Sequence, residues 1–306
     1  MTRVLLTGAT GFAGRPLAAR LATARYGVRA LVRYRPSPPL PDGVEVTHGD
    51  LGEPIAWEPL LGAVDAVVHL AGIAHAGGGI SPASYDRINH QATAALARAA
   101  ARAGVKHFVF VSSVRAQSGP AADHVLTERD APQPSDPYGR SKLAAEAAVA
   151  ASGVPFTILR PVLIYGPNLK GNLATLARLA SWPLPLPFGA FVNRRSLLGI
   201  DNFVNAIMFV LQNPATRGEI FLVADRAPVA LGEIVASFRN GLGRQPGLFS
   251  VPPRPMEAIA RLVGGAALWE RIGGELVVDP AKLMAAGWSP ATDTKAALVK
   301  SVQASP

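Results

Sequence analysis

The chain contains no cysteine, which excludes disulfides and thiolate metal sites and fits a reducing compartment. Lysine is scarce. Only 6 of the 30 basic residues are Lys and the other 24 are Arg, so the formal charge of +9 rests on arginine. These arginines are scattered, and neither a zinc-finger spacing nor an aromatic RNA-binding signature accompanies them. The basic balance therefore predicts a solvated surface that draws in small anionic ligands, and no nucleic-acid partner. No apolar run approaches the roughly 18 residues of a membrane-crossing helix. The opening Met1-Thr2-Arg3-Val4-Leu5-Leu6-Thr7-Gly8 reaches a glycine turn before a secretion signal's apolar stretch can form. The expectation is a cytoplasmic protein without a membrane partner. No His or carboxylate cluster has metal-ligand spacing, so no metal is expected. Internal repeats and long low-complexity segments are absent.

What is present is enough apolar sequence, 49% of 306 residues against 17% charged, to bury one large domain or two intimate ones. Short apolar runs bounded by Gly, Pro or Asp predict strands at 4–6, 28–32, 44–46, 66–70, 107–111 and 156–159. Ala- and Leu-rich stretches predict helices at 15–24, 93–103 and 142–151. This alternation implies a doubly wound α/β fold with a parallel sheet covered on both faces. After Tyr165 the rhythm breaks into Pro- and Gly-rich sequence, notably Trp182-Pro183-Leu184-Pro185-Leu186-Pro187. A nucleotide-binding domain over 1–165 is therefore expected. A helix at 201–212 and a strand at 220–223 return to the sheet, within about 190–225, and 166–189 with 226–306 form a smaller C-terminal substrate lobe.

Two constellations carry chemistry. Gly8-Ala9-Thr10-Gly11-Phe12-Ala13-Gly14 lies between the first strand and the first helix. There, glycines let the backbone turn sharply and approach a pyrophosphate at a helix N-terminus. An acidic residue about 20 positions downstream would mark NAD and an arginine would accommodate the 2′-phosphate of NADP. This chain offers Arg33, so NADP(H) is slightly favoured over NAD(H), with Arg33 otherwise one more surface arginine. Further on, Tyr138-Gly139-Arg140-Ser141-Lys142 places a phenol and an ammonium on one helix face. The ammonium is expected to lower the phenol pKa from about 10 towards neutrality, so that Tyr138 exchanges a proton with an alcohol oxygen. With five Tyr and six Lys, a chance pair at this spacing arises about 0.1 times. Ser113, ending Val111-Ser112-Ser113, can orient the reacting oxygen.

These motifs, with His69-Leu70-Ala71-Gly72 and Arg160-Pro161-Val162-Leu163-Ile164-Tyr165-Gly166-Pro167, closely resemble the extended short-chain dehydrogenase/reductase family of nucleotide-sugar epimerases, dehydratases and reductases. The resemblance spans nearly the whole chain and implies a Rossmann-like fold. It implies Tyr138 as acid/base, Lys142 on the nicotinamide ribose, Ser113 on the substrate oxygen and Asn89 as a structural or relay residue, unless Asn89 caps the next helix. Cofactor contacts implied are Gly8, Thr10, Gly11, Phe12, Ala13, Gly14, Arg33, Leu51, Leu70, Ala71, Gly72, Pro161 and Leu163, with Asp50 on the adenine unless it merely caps its turn. Asn172 and Arg195 would meet a substrate diphosphate, Arg195 otherwise pairing with a local carboxylate. His75, after the fourth strand, would hydrogen-bond substrate or be structural.

Within that family a 4,6-dehydratase needs a carboxylate pair after the catalytic hydroxyl, where this chain has Val114-Arg115. Epimerases acting beside a ketone commonly use a cysteine, which is lacking. Hydride chemistry at C4 of a UDP-linked sugar remains. It is either a 4-keto reductase, which Arg33 favours, or a 4-epimerase with retained NAD. Segments Gly166-Pro167-Asn168-Leu169-Lys170-Gly171-Asn172 and Asn193-Arg194-Arg195-Ser196 look most like the surface-polysaccharide branch. A non-catalytic dinucleotide sensor is the alternative of another class. The resemblance further suggests a homodimer through helices at 93–103 and 142–151.

Overall fold

The computed structural model describes residues 1–33, 39–73, 79–252 and 274–304. Its centre is a seven-stranded sheet in the order β10, β6, β5, β4, β1, β2, β3, every neighbouring pair parallel. The strands are β1 (Arg3–Thr7), β2 (Gly27–Val32), β3 (Val44–His48), β4 (Ala66–His69), β5 (His107–Val111), β6 (Phe156–Pro161) and β10 (Glu219–Val223). Outside the sheet, β7 (Leu163–Tyr165) pairs parallel with β9 (Leu197–Gly199), and β8 (Arg194–Arg195) antiparallel with β11 (Val229–Ala230).

Two faces of one apolar strand must be covered by different layers, because side chains alternate along it. Val4, Leu6, Val68, Val109 and Val111 enter one core cluster with Leu17, Ala18 and Leu21 of helix Gly14–Thr23 and Phe203, Val204 and Ile207 of helix Ile200–Gln212. Leu5, Val67, Phe108 and Phe110 enter the other, with Leu96, Ala97 and Ala100 of helix Ala92–Arg102 and Ala145 and Val149 of helix Pro137–Ala150. β5 is buried along its whole length, whereas the edge strand β3 has no buried residue. A third cluster joins Tyr165, Leu173, Phe188, Phe191, Val235, Phe238, Leu298 and Val302. Helices Gly171–Ala180, Leu231–Gly241 and Thr294–Gln303 build it. Among the described residues no helix is long and apolar enough to cross a membrane.

A parallel sheet delivers all its C-terminal strand ends to one edge. The chain runs from β1 to β2 and β3 on one side and then crosses back to β4 on the other side of β1, and the crevice at that switch point is where such sheets take ligands. The expected glycine turn leaves β1 there, Leu70–Gly72 leaves β4 beside it, and Ser112–Ser113 leaves β5 one strand further.

Candidate active site

The glycine turn is closed by its own backbone. Gly11 N–H donates to Gly8 C=O at 2.9 Å and Arg15 N–H to Gly11 C=O at 3.2 Å. Gly8 has φ +75°, and a Cβ on it would stand 2.8 Å from the Ala71 nitrogen. A Cβ on Gly14 would fall 2.0 Å from the Gly8 carbonyl oxygen. Both positions therefore demand glycine. Helix Gly14–Thr23 starts without a side-chain cap and without an acid in its first turn. Its first turn therefore carries no side-chain acceptor or acid of its own, and backbone N–H groups with the helix dipole are the donor set that a dinucleotide pyrophosphate requires. The residues present fit that group.

Helix Pro137–Ala150 starts differently. Asp136 caps it, accepting from Gly139 N–H at 2.7 Å, and Pro137 follows in the first turn. Asp136 also pairs with Arg115. The helix begins five residues before the stretch expected from its alanines, because the Asp-Pro start signal outweighs the two glycine and serine positions behind it. Tyr138 and Lys142 lie in its first two turns and are 9% and 5% exposed. Glu146 continues that face at the same four-residue spacing and is also buried.

Ser113 is not a strand residue. β5 stops at Val111, and Ser113 caps a 3₁₀ turn, Val114–Ala116, its hydroxyl accepting from Arg115 N–H at 3.1 Å. The same hydroxyl hydrogen-bonds the Tyr138 phenol. The expected lowering of the Tyr138 pKa by Lys142 is not what the structure gives. Burial pushes the phenol up to about 12, with the Ser113 hydrogen bond opposing this. Lys142 directs its ammonium to the Val111 carbonyl at 2.9 Å, lies 4.8 Å from the Phe110 ring centre, and is itself pushed down to about 8 by burial. Desolvation disfavours both charged forms and outweighs the Ser113 hydrogen bond at the phenol and the Glu146 charge at the ammonium.

Asn89 does not cap the following helix. It sits in a π-helical turn, Asp86–Gln91, that runs into helix Ala92–Arg102. Its side chain accepts from Ile73 N–H at 2.7 Å and donates to Ile73 C=O at 3.0 Å and to Ser141 Oγ at 3.1 Å. It thereby ties the β4 exit loop to the helix of Tyr138 and Lys142.

A cavity of about 730 Å³ joins the two constellations. Gly8, Gly11, Phe12, Ala13, Gly14, Leu70, Gly72, Pro161 and Leu163 line it along with Ser113, Tyr138, Lys142, Asn172 and Arg195. The size suits a bound small molecule. Thr10 instead lines a neighbouring cleft on the other side of the turn. Ala71 is occupied in the loop floor, donating to Thr7 Oγ1 at 3.1 Å. Arg33 is exposed at the end of β2. Asp50 accepts from Gly52 N–H at 2.9 Å, which is a turn-capping bond, and Leu51 packs on the second core cluster. Arg195 donates to the carbonyls of Gly274 at 2.6 Å and Pro120 at 2.9 Å, and among the described residues it pairs with no carboxylate. Burial and then the nearby Arg115 charge bring Arg195 down to about 10. His75 lies outside the described residues.

A buried network behind Ser113 was not anticipated. Glu146 accepts from the Ser112 hydroxyl and from Arg160, at 3.0 Å from Nε and 2.6 Å from Nη2, while Arg160 Nη1 donates to Gln117 at 2.8 Å. All four residues are at most 4% exposed. The sequence signal was the repeat of polar residues at 138, 142 and 146, three successive positions on one face of a helix.

The chain is similar in sequence and fold to known proteins. Residues 4–224 match the NAD dependent epimerase/dehydratase family. The UDP-glucose 4-epimerase of Vibrio cholerae is 33% identical over 298 residues, covering 94% of this chain and 90% of that protein. The 2'-dehydrokanamycin reductase of Streptomyces kanamyceticus is 32% identical over 262 residues, covering 82% and 69%. The solved structure of MoeE5 in complex with UDP-glucuronic acid and NAD superposes with a TM-score of 0.75 at 26% identity, covering 98% of each chain. With the family matched across most of its length, the chain belongs to the NAD-dependent epimerase/dehydratase family, the extended short-chain dehydrogenase/reductases, and is an NAD(P)-dependent enzyme.

Proposed function

We propose that the protein carries out hydride chemistry at C4 of a UDP-linked sugar, as a 4-keto reductase in the synthesis of surface-polysaccharide precursors in the cytoplasm. The observation that carries this reading is the convergence of the glycine turn with Ser113, Tyr138 and Lys142 on one cavity. A bound nicotinamide dinucleotide would exchange hydride with the sugar carbon. Gly8, Gly11 and Gly14, with the open N-terminus of helix Gly14–Thr23, hold its pyrophosphate, and Arg33 at the end of β2 favours a 2′-phosphate. Ser113 hydrogen-bonds the C4 oxygen and Tyr138 gives it a proton as it becomes an alcohol, or removes the proton in the reverse direction. Since burial, with the Asp136 charge adding to it, holds the phenol high, Tyr138 is in its acid form before substrate enters, as a reductase requires. Lys142 orients the nicotinamide ribose. Arg195 and Asn172 meet the substrate diphosphate, the arginine exchanging carbonyl oxygens for phosphate oxygens.

A second reading, a 4-epimerase that retains NAD, is supported by the similarity to the Vibrio cholerae epimerase along 94% of this chain. The readings separate on the purified protein. Denaturation followed by identification of the released dinucleotide, then titration of the emptied protein with NADPH and NADH, should give an empty site preferring NADPH for the reductase. Retained NAD selects the epimerase. In either case Tyr138→Phe should lower turnover of the UDP-sugar about 10²- to 10⁴-fold while dinucleotide binding persists. Undiminished turnover would sink the mechanism. The reading includes a homodimer through helices Ala92–Arg102 and Pro137–Ala150, which light scattering tests against the monomer mass of 31.9 kDa.

A further inference from the structure

His69, the last residue of β4, is fully buried and has no part in the chemistry described above. Its Nδ1 lies 2.7 Å from Thr7 Oγ1 and its Nε2 2.8 Å from Thr93 Oγ1. The two hydroxyls have further bonds whose direction is not free. Thr93 Oγ1 is 2.6 Å from the Asn89 carbonyl, which can only accept, so the single Thr93 hydroxyl proton points there. Thr93 Oγ1 can then only accept from the ring, and Nε2 must carry the hydrogen. In a neutral imidazole Nδ1 is then bare and accepts from the Thr7 hydroxyl, whose oxygen in turn accepts from Ala71 N–H at 3.1 Å. Four bonds thus run in one direction: Ala71 N–H to Thr7, Thr7 to His69, His69 to Thr93, and Thr93 to the Asn89 carbonyl.

The two ends of this relay adjoin residues that line the cavity, Leu70 and Gly72 beside Ala71 and Ile73 beside the Asn89 side chain. Ala71 belongs to the β4 exit loop, and Asn89 holds Ile73 of the same loop and Ser141 of the Tyr138 helix. The Asn89 carbonyl sits in the π-helical turn, where the regular helix ladder is interrupted. We propose that His69 is a positioning residue which, as the neutral Nε2–H tautomer, fixes both the dinucleotide-facing loop after β4 and the orientation of Asn89. A protonated ring would turn Nδ1 into a donor towards Thr7 and break the direction of the chain. The surroundings oppose that proton. Phe108 and Phe110 of β5 lie 6.2 and 5.7 Å away by ring centres. Burial and then the Lys142 charge, on the helix packed against this end, hold the imidazole down to about 3.

The functional part rests on the dinucleotide-dependent reading above, and the tautomer does not. In the full chain labelled with ¹⁵N-histidine, long-range proton–nitrogen correlations between pH 5 and 8 should show His69 neutral and Nε2-protonated throughout. A ring titrating above pH 6, or protonated on Nδ1, overturns the proposal. Thr93→Val keeps the volume and removes the acceptor. It removes both buried hydrogen bonds of that hydroxyl, to His69 and to the Asn89 carbonyl, and should weaken binding of the dinucleotide that the wild-type chain prefers by about tenfold and lower turnover while thermal unfolding remains cooperative. Unchanged dinucleotide affinity and turnover in that variant also overturn it. Wild-type protein that binds neither NAD nor NADPH would refute the proposed function and leave the tautomer to be decided by resonance.

Discussion

Helices Gly14–Thr23 and Pro137–Ala150 both begin at the cavity, and their first turns are built on opposite plans. The first has no side-chain cap, no acid in its opening turn and a preceding loop so tight that Gly14 has no room for a Cβ. The second is closed by Asp136 and Pro137, and its cap is tied to Arg115. The first end has no side-chain oxygen over its opening turn, which suits the anion proposed to bind there, whereas the end that carries the phenol is capped by its own aspartate. The same contrast extends to charge. The first end brings no acid of its own and is proposed to take a ligand's charge, while the second buries its own ammonium, Lys142, at a cost to stability.

The largest effect should come from closing the open end sterically. Gly14→Ala puts a methyl 2.0 Å from the Gly8 carbonyl oxygen, and backbone cannot yield as a flexible side chain does. Dinucleotide affinity should fall at least tenfold, with a loss of about 1–3 kcal/mol in stability. Calorimetric titration and thermal unfolding check both. Ala13→Asp closes the same end electrostatically, setting a carboxylate where the pyrophosphate charge belongs. Binding should weaken about tenfold, and added salt should reduce the difference between variant and wild type.

The buried end gives a prediction of opposite sign. Lys142 is held near 8, below its ordinary 10.5, so the folded state binds its proton less tightly than the unfolded state. Its charge therefore opposes folding fully below pH 8, and this opposition fades as pH rises from about 8 towards 10.5. Lys142→Met should abolish turnover and yet stabilise the fold at pH 7 by about 1–2 kcal/mol. The gain should shrink above pH 8 in denaturant titrations. A destabilised variant at pH 7 would mean that the bond to the Val111 carbonyl outweighs desolvation. The smallest effect is expected at the cap itself. Asp136→Ala should cost about 1 kcal/mol, lowering the melting temperature with dinucleotide affinity unchanged.

Much of the sheet was legible because its central strands are apolar on both faces and the runs are punctuated by glycine, proline and aspartate. All seven sheet strands fall where those runs lie, including the return at 220–223. The Ala-rich stretch at 142–151 gives only the body of the Tyr138 helix, whose first turn is set by Asp136-Pro137, a cap that satisfies N–H groups before the alanines begin. The candidate site was legible as far as short-range geometry reaches. Four-residue spacing puts Tyr138 and Lys142 on one face, and the glycine turn needs nothing beyond its neighbours.

What the sequence by itself determined is therefore the alternation of elements, the parallel sheet they force, and the local shape of each motif, since these follow from periods of two and 3.6 residues and from backbone sterics. Only the tertiary structure decided the protonation landscape and the long-range ties. The phenol rises and the ammonium falls because burial, set by the whole fold, outweighs the charge of a neighbour four residues away. Ala71, Thr7, His69, Thr93 and Asn89 meet because the C-terminal ends of β1 and β4 are brought side by side against a helix that begins more than ten residues later. A hydrogen bond across such a separation has no signature in the local pattern.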